Sequence, residues 1–206
     1  MQEISSKIIK NLNESLSLFG HASLIVCGGS SPINVFKDLS KSEIDWSKIT
    51  ISLVDDRLVD SHHNDSNEKL VNDYLKTNKA SCAKFISLCS ESDLLLKIIR
   101  PFSVMLLGMG EDGHFASLFP DLIDENPEYF DKKSTPKLIQ TEPMGSPCHK
   151  RISMNLSMIL QANNIYLLVP NQKKLEVLNN AKIDKGLPLY YLLNQDISRV
   201  QIIKEI

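Results

Sequence analysis

Short apolar runs alternate with amphipathic segments along most of this chain, and this alternation limits the folds open to it. Short runs rich in Val, Ile and Leu are typical of buried strands, whereas apolar residues three and four apart are typical of helices. We predict strands over 22–26, 49–54, 84–88, 104–107, 164–169 and 198–203. We predict helices over 5–18, 32–39, 67–75, 92–99 and 172–180. Strands that alternate with helices favour an α/β fold: a three-layer α/β/α domain with a mainly parallel, Rossmann-like sheet.

The length of the chain fits a single domain. With 206 residues it is long enough to bury a core of its own, and we expect one domain over 1–206. Its 42% hydrophobic and 23% charged residues are ordinary for a globular protein. Residues 121–150 are rich in proline and acidic groups, so we expect a surface excursion there.

Charge, hydropathy and cysteine spacing exclude several classes of partner. The formal net charge of −2 creates no basic field, so we expect no nucleic-acid partner. No apolar stretch approaches the roughly 18 residues that span a bilayer, and the N-terminus lacks a signal-peptide core. We therefore expect no membrane partner and a cytoplasmic location. The four cysteines have no CxxC spacing, which predicts reduced thiols and no metal site.

Three polar clusters each follow a predicted strand directly. They occupy 28–31, 55–57 and 108–114. In parallel sheets, ligands bind beyond the carboxyl ends of the strands. We therefore expect the three clusters to meet at one edge of the sheet.

The segment 108–120 carries the clearest chemical signal. Its three glycines allow the backbone to turn sharply and to approach a ligand closely. His114 ends the loop beside Asp112, and an imidazole is suited to moving protons near neutral pH. A structural turn accounts for the glycines but not for the adjacent Asp-Gly-His, so we expect catalysis here.

The same segment formally matches the dinucleotide motif GxGxxG. A dinucleotide site also needs a following helix and strand, with an acidic residue about 20 positions on. Here Phe119-Pro120 and a proline-containing stretch follow instead. We therefore expect no dinucleotide cofactor.

The loop at 28–31 has two interpretations. Its residues are Gly28, Gly29, Ser30 and Ser31. Backbone N–H groups, hydroxyls and a helix N-terminus form a good anion site. A tight turn, with the serines capping a helix whose first residue is Pro32, is an equal alternative. The loop is not a P-loop, because the Gly-Lys-Ser/Thr ending is absent.

Several charged residues also have two interpretations. Asp55-Asp56-Arg57 is either a solvated turn or a cluster with one side chain on the ligand. Arg151 and Lys174 are either surface charges or the cations of a phosphate site. For His62-His63 we expect local hydrogen bonds and no metal. No GxSxG elbow occurs, and nothing marks Ser117 as a nucleophile.

Taken together and in order, these motifs resemble the 6-phosphogluconolactonases, within a wider group that includes glucosamine-6-phosphate deaminases. The segment 108–120 resembles the family motif LGxGxDGHTASLFP, with Phe115 where threonine is usual. The outer matches are 28–32 to GGST/SP, 55–59 to DERxV, 63–67 to HxDSN, 151–153 to RIT, and Lys174 to the lysine of GxxKA.

Two features favour the lactonases within that group. Deaminases typically continue Asp-Gly-His with IAFNEP, whereas this chain has Ser117-Leu118-Phe119-Pro120. They also tend to carry an acidic-Tyr pair where Asp56-Arg57 stands here. The chain departs from the lactonase pattern at Asp56, which replaces glutamate, and at Pro170-Asn171, which replaces Thr-Gly.

The resemblance implies hydrolysis of 6-phospho-D-glucono-1,5-lactone to 6-phosphogluconate without a cofactor or a metal. In that role His114 takes a proton from water, and Asp112 or a backbone carbonyl fixes its tautomer. Arg57 or loop N–H groups stabilise the oxyanion. Arg151, Lys174 and the 28–31 loop hold the phosphate. The partner is then a small sugar-phosphate lactone, and the protein a monomer or small homo-oligomer. The alternatives are an aldose–ketose isomerase/deaminase and a non-catalytic sugar-phosphate sensor.

Overall fold

The computed structural model describes residues 2–90, 93 and 97–204. The strands described there are β1 (Ala22–Val26), β2 (Ile49–Leu53), β3 (Asp55–Arg57), β4 (Lys84–Ile86), β5 (Val104–Leu107), β6 (Leu138–Met144), β7 (His149–Met154), β8 (Ile165–Val169) and β9 (Val200–Lys204). The helices are α1 (Gln2–Phe19), α2 (Ile33–Ser40), α3 (Asn67–Tyr74), α4 (Leu122–Glu125), α5 (Leu156–Ile159), α6 (Gln172–Asn180) and α7 (Pro188–Leu193). Short 3-10 turns occupy Trp46–Lys48, Asn78–Cys82 and Pro127–Tyr129.

Six strands form one parallel sheet flanked by helices, as predicted. Their order is β4-β2-β1-β5-β8-β9, and every neighbouring pair is parallel. All residues of β1, β5 and β8 are buried, as expected for central strands covered on both faces. The chain leaves β1 toward β2 on one side and later returns to β5 on the other. The carboxyl ends of β1 and β5 therefore border a topological switch point, where such sheets bind ligands.

A second sheet extends the domain beyond the carboxyl end of β2. Its three strands are antiparallel in the order β3-β7-β6. This corrects one prediction and excludes one of two open interpretations. Residues 121–150 are not merely a surface excursion, because 138–144 pairs with β7 as a hairpin. The triplet Asp55-Asp56-Arg57 is a strand and not a solvated turn, and both aspartates are buried. Long-range pairing decides these segments, and local sequence signals do not report it.

The remaining elements lie close to their predicted bounds. The helix predicted at 32–39 begins at Ile33, with Pro32 in the capping position and no side-chain cap, so the predicted serine cap is wrong. Half of the helix predicted at 92–99, at 92 and 94–96, lies outside the described residues. The short helices α4, α5 and α7 were not predicted. The four cysteines are free thiols, and Cys27 is the buried one among them. Within the described ranges, no helix is long and apolar enough to cross a membrane.

Candidate active site

An open cleft of about 260 Å³ lies at the carboxyl edge of the parallel sheet. Residues that follow β1, β2, β5 and β8 all contribute to its wall, so the three predicted clusters do meet at one edge. Its lining comprises Cys27, Gly28, Gly29, Ser30, Ser31, Asp55, Arg57, Asn67, Gly108, Met109, Gly110, His114, Ala116, Ser146, Arg151 and Lys174. Eight of the nine predicted site residues belong to this lining, and the ninth, Asp112, contacts one of them directly.

The side chains of Asp112 and His114 form a pair at the cleft. Nδ1 of His114 lies 2.6 Å from Oδ1 of Asp112, and the same oxygen accepts from the His114 backbone N–H at 3.2 Å. The ring packs on Phe119 with centroids 4.5 Å apart. Sequence reasoning left open whether Asp112 or a backbone carbonyl orients the imidazole. The geometry assigns that contact to Asp112.

The glycine at position 110 is required by this pair. A Cβ there would lie 2.2 Å from Nδ1 of His114 and 2.3 Å from Oδ1 of Asp112, far inside contact distance. The Gly110 N–H also donates to the His114 carbonyl at 2.8 Å, which closes the loop. Gly113 has φ +79°, in the region that favours glycine. The glycines therefore shape the loop around the pair.

The carboxylate of Asp112 is set to serve as a hydrogen-bond acceptor. Partial burial alone would raise the pKa of Asp112, but the hydrogen bond and charge attraction of His114 outweigh it and lower the pKa below its ordinary value. An ionised carboxylate only accepts, so Nδ1 of His114 must carry the proton. In a neutral imidazole with this tautomer, the other ring nitrogen, Nε2, has the lone pair.

Alternate residues of β3 face opposite ways. Asp55 and Arg57 line the cleft, whereas Asp56 turns to the N-terminus of α3. There Asp56 accepts from the backbone N–H groups of Arg57, Asn67 and Glu68, at 2.7, 2.6 and 3.0 Å. Burial nevertheless raises the pKa of Asp56 to about 6. Asp56 is therefore a structural group beside the site.

Asn67 is a site residue that sequence reasoning missed. It is buried, donates to the Asp55 carbonyl at 2.9 Å, and accepts from Nη1 of Arg57 at 2.7 Å. Gly28 must lack a side chain here, because a Cβ would lie 1.8 Å from Oδ1 of Asn67. The only available signal was the match of 63–67 to HxDSN. Ser146, in the β6–β7 turn, is a second missed residue of the lining.

Arg57 and Arg151 oppose each other across β3 and β7. Arg151 is buried, donates to the carbonyls of Met144 and Pro147, and packs over Phe119 at 5.2 Å. Burial first, and then repulsion by Arg57, lower the pKa of Arg151. Like charges directly opposite are unfavourable in a sheet, so this pair favours an anion in the cleft.

Lys174 and the 28–31 loop complete the wall. Lys174 lies in the first turn of α6, where its backbone N–H donates to Oδ1 of the N-cap residue Asn171 at 2.9 Å. Across the part of the chain that the structure describes, its ammonium forms no ion pair, unlike that of its neighbour Lys173 with Glu111. Gly29 has φ +80°, which turns the loop from β1 into α2.

Two potential nucleophiles in or near the cleft are held inactive. Ser117 is fully buried, and its hydroxyl donates to Oδ2 of Asp55 at 2.6 Å and to no histidine among the described residues. Burial raises the pKa of Cys27 to about 12, so its thiol stays protonated at neutral pH. Of these side chains, the imidazole of His114 is therefore the one suited to proton transfer near neutral pH.

Comparison with known proteins identifies the family of this chain. The model of the family described as glucosamine-6-phosphate isomerases/6-phosphogluconolactonase matches residues 1–200. The chain belongs to this family. A 6-phosphogluconolactonase of Neisseria meningitidis serogroup A is 34% identical over 94% of the chain and 89% of its own length. One of Pseudomonas aeruginosa is 34% identical over 86% of the chain and 79% of its own length.

Solved structures of the same family share the fold. A crystal structure of a 6-phosphogluconolactonase from Shewanella baltica has a TM-score of 0.87 at 33% identity, covering 98% of this chain and 91% of that chain. A more distant one from Thermotoga maritima, at 21% identity, still has a TM-score of 0.80. Phe115, where the family pattern has threonine, is fully buried and therefore contributes to packing and not to the cleft.

Proposed function

We propose that the protein hydrolyses 6-phospho-D-glucono-1,5-lactone to 6-phosphogluconate, a step of the oxidative pentose phosphate pathway. The observation that carries this proposal is that one cleft holds the Asp112–His114 pair together with three cations, Arg57, Arg151 and Lys174. Membership of the family and the curated relatives named 6-phosphogluconolactonase support the same substrate.

In the proposed mechanism His114 activates water. Because Asp112 accepts from Nδ1–H, Nε2 takes a proton from water as that water attacks the lactone carbonyl. Attack breaks the carbonyl π bond and places negative charge on oxygen. Collapse of this intermediate expels the ring oxygen, which receives the proton from His114. A lactone is an activated ester, so these steps need no covalent nucleophile, metal or cofactor.

The three cations have two different roles in this mechanism. Arg57 is fixed by the Asp65 carbonyl and by Asn67, at 2.9 and 2.7 Å, so it can present a constant charge to the developing oxyanion. Its Nε is buried and has no hydrogen-bond partner among the described residues. We assign Arg151, Lys174, Gly28, Gly29, Ser30 and Ser31 to the phosphate. Binding of the phosphate by these residues would hold the reacting carbonyl near His114.

We also propose where the protein acts and in what form. A phosphorylated sugar does not cross a bilayer unaided, so an enzyme that consumes it is expected in the cytoplasm. We propose that it acts as one domain over 1–206, as a monomer or small homo-oligomer, on a small molecule alone.

A coupled assay tests the function. Purified protein is given freshly made 6-phosphogluconolactone, with 6-phosphogluconate measured against spontaneous hydrolysis, and in parallel glucosamine-6-phosphate, with ammonia measured. We expect rapid lactone hydrolysis and no ammonia. Ammonia release without lactone hydrolysis would identify a deaminase instead, and binding of both sugars without turnover would identify a sensor.

A further inference from the structure

Two histidines and an aspartate from separate parts of the chain converge outside the cleft. They are His63, Asp65 and His149, and one potential ligand atom of each lies within 4.8 Å of those of the other two. Nε2 of His149 is 2.8 Å from Oδ2 of Asp65, and Nδ1 of His63 is 3.8 Å from the same oxygen. The two imidazoles meet edge to face, with centroids 5.7 Å apart.

The backbone holds these side chains from two directions. His63 and Asp65 lie in the loop before α3, where the Asp65 N–H donates to Nδ1 of His63 at 3.1 Å. His149 begins β7 and pairs with Met144 across the hairpin. The loop is tied to β3, because the Asp65 carbonyl accepts from Arg57. The cluster therefore depends on the fold and not on one flexible segment.

The cluster is accessible from solvent. The side chains of His63, Asp65 and His149 are 47%, 35% and 26% exposed. An ion can therefore enter without unfolding, and water can complete its coordination. Two imidazoles and one carboxylate, with a position left for water, form a donor set that Zn²⁺ accepts readily. Mg²⁺ and Ca²⁺ prefer sets made of oxygen, so they fit this site poorly.

We propose that His63, Asp65 and His149 form a binding site for Zn²⁺ or a similar transition-metal ion. This proposal departs from our expectation of local hydrogen bonds and no metal at His62-His63. The local bond exists, from Asp65 N–H to His63, but the third ligand comes from 84 residues further along the chain. His62, the other member of the pair, is no part of the cluster.

Binding exchanges hydrogen bonds for metal–ligand bonds. The Asp65 carboxylate accepts from Nε2–H of His149, so the metal takes the Nε2 lone pair as the neutral ring shifts this proton, through solvent, to Nδ1. At His63 the ion competes with the Asp65 N–H for Nδ1 or uses the opposite ring nitrogen. Since these interactions must be given up, we expect reversible binding that a chelator removes.

The site is separate from the proposed chemistry. None of its three residues belongs to the cleft lining. The inference therefore does not rest on the proposed function, and neither outcome of the lactonase assay affects it.

Calorimetry on the untagged, chelator-treated protein tests the site with ZnCl₂ as the probe. We expect one saturable ion per chain. His149→Ala and His63→Ala should each weaken binding at least about tenfold, because even the loss of a group that merely supports a ligand costs that much. His62→Ala is the matched control and should bind as the wild type does.

Exposed thiols are the main competing ligands, and Cys148 adjoins His149. Cys148→Ser should therefore retain the site. NMR of the wild-type histidine rings gives an answer that needs no variant, since zinc should shift His63 and His149 but not His62. Absence of saturable zinc binding would overturn the proposal. So would binding that survives both histidine variants, binding lost in Cys148→Ser, or ring shifts elsewhere.

Discussion

Arg57 and Arg151 lie directly opposite each other on β3 and β7, with their side chains on the same cleft. Two guanidinium groups in register repel each other, and a fold retains such a pair at a cost in stability. Asp55 on the same face offsets part of this repulsion and is held by Ser117 at 2.6 Å. An anionic ligand would offset the rest, so this pair favours the binding of an anion in the cleft.

His114→Ala should remove most turnover while leaving sugar-phosphate binding nearly intact, because the imidazole acts on water and not on the phosphate. A general base contributes about 10²–10⁴-fold, and we expect kcat to fall by this factor. Steady-state kinetics and calorimetry with 6-phosphogluconate measure the two effects. His62→Ala, outside the cleft, is the control. A His114→Ala enzyme with more than about a third of wild-type kcat would contradict the assignment.

Asp112→Asn should lower kcat with little change in KM. The amide can donate to Nδ1 and so stabilise the tautomer whose proton is on Nε2, which cannot accept from water. The loss should lie between about tenfold and 10⁴-fold, the latter being the whole contribution of the base. Asp121→Asn, a neighbouring aspartate outside the lining, is a matched control. Equal kcat in the two variants would show that Asp112 does not orient His114.

The sequence predicted the parts of the site that depend on local chemistry. The glycines of 108–113 and the Asp-Gly-His order are visible because loop conformation and the Asp112–His114 contact involve near neighbours. The role of Asn67 is different. Its partners, Gly28 and the Asp55 carbonyl, come from distant elements and meet it only in the folded chain. The strand character of Asp55–Arg57 was hidden for the same reason, since pairing with β7 overrides its charged composition.

A further prediction concerns cofactors. The GxGxxG match lacks its following strand, since the next strand after β5 is β6, which pairs in the small antiparallel sheet. We expect no saturable NAD or NADP binding by calorimetry. We also expect full activity in EDTA, because the proposed steps use only water and side chains. Inactivation by EDTA that added metal restores would contradict the mechanism, whereas unchanged activity is compatible with zinc bound away from the cleft.

Asp56 should make stability depend on pH in an unusual direction. Burial raises its pKa from 3.8 to about 6, so between these values the folded chain keeps a proton that the unfolded chain releases. Protonated Asp56 therefore contributes about 3 kcal/mol to the free energy of unfolding below pH 4, and this contribution is lost as pH rises through 6. Denaturant unfolding of wild type and Asp56→Asn across this range isolates the effect. If the wild type instead gains stability relative to Asp56→Asn as pH rises, the three N–H hydrogen bonds lower the pKa of Asp56 by more than burial raises it.

The last prediction separates phosphate recognition from chemistry. Arg151→Ala or Lys174→Ala should each remove a charge-assisted contact of about 1.5–3 kcal/mol, raising KM for the phosphorylated lactone roughly 10- to 150-fold. Some loss of kcat should follow, since remote binding energy orients the carbonyl. Lys173→Ala is the matched control, because that neighbour pairs with Glu111 outside the lining.

The comparison that decides this assignment uses unphosphorylated gluconolactone as a second substrate. Wild type should hydrolyse it poorly, and both variants almost equally poorly, because it has no phosphate to lose. KM and kcat/KM are compared for both lactones after correction for spontaneous hydrolysis. Equal losses on the two substrates would mean that Arg151 and Lys174 serve folding or catalysis. A structural role is the stronger alternative for Arg151, since its guanidinium also donates to the carbonyls of Met144 and Pro147, at the β6–β7 turn.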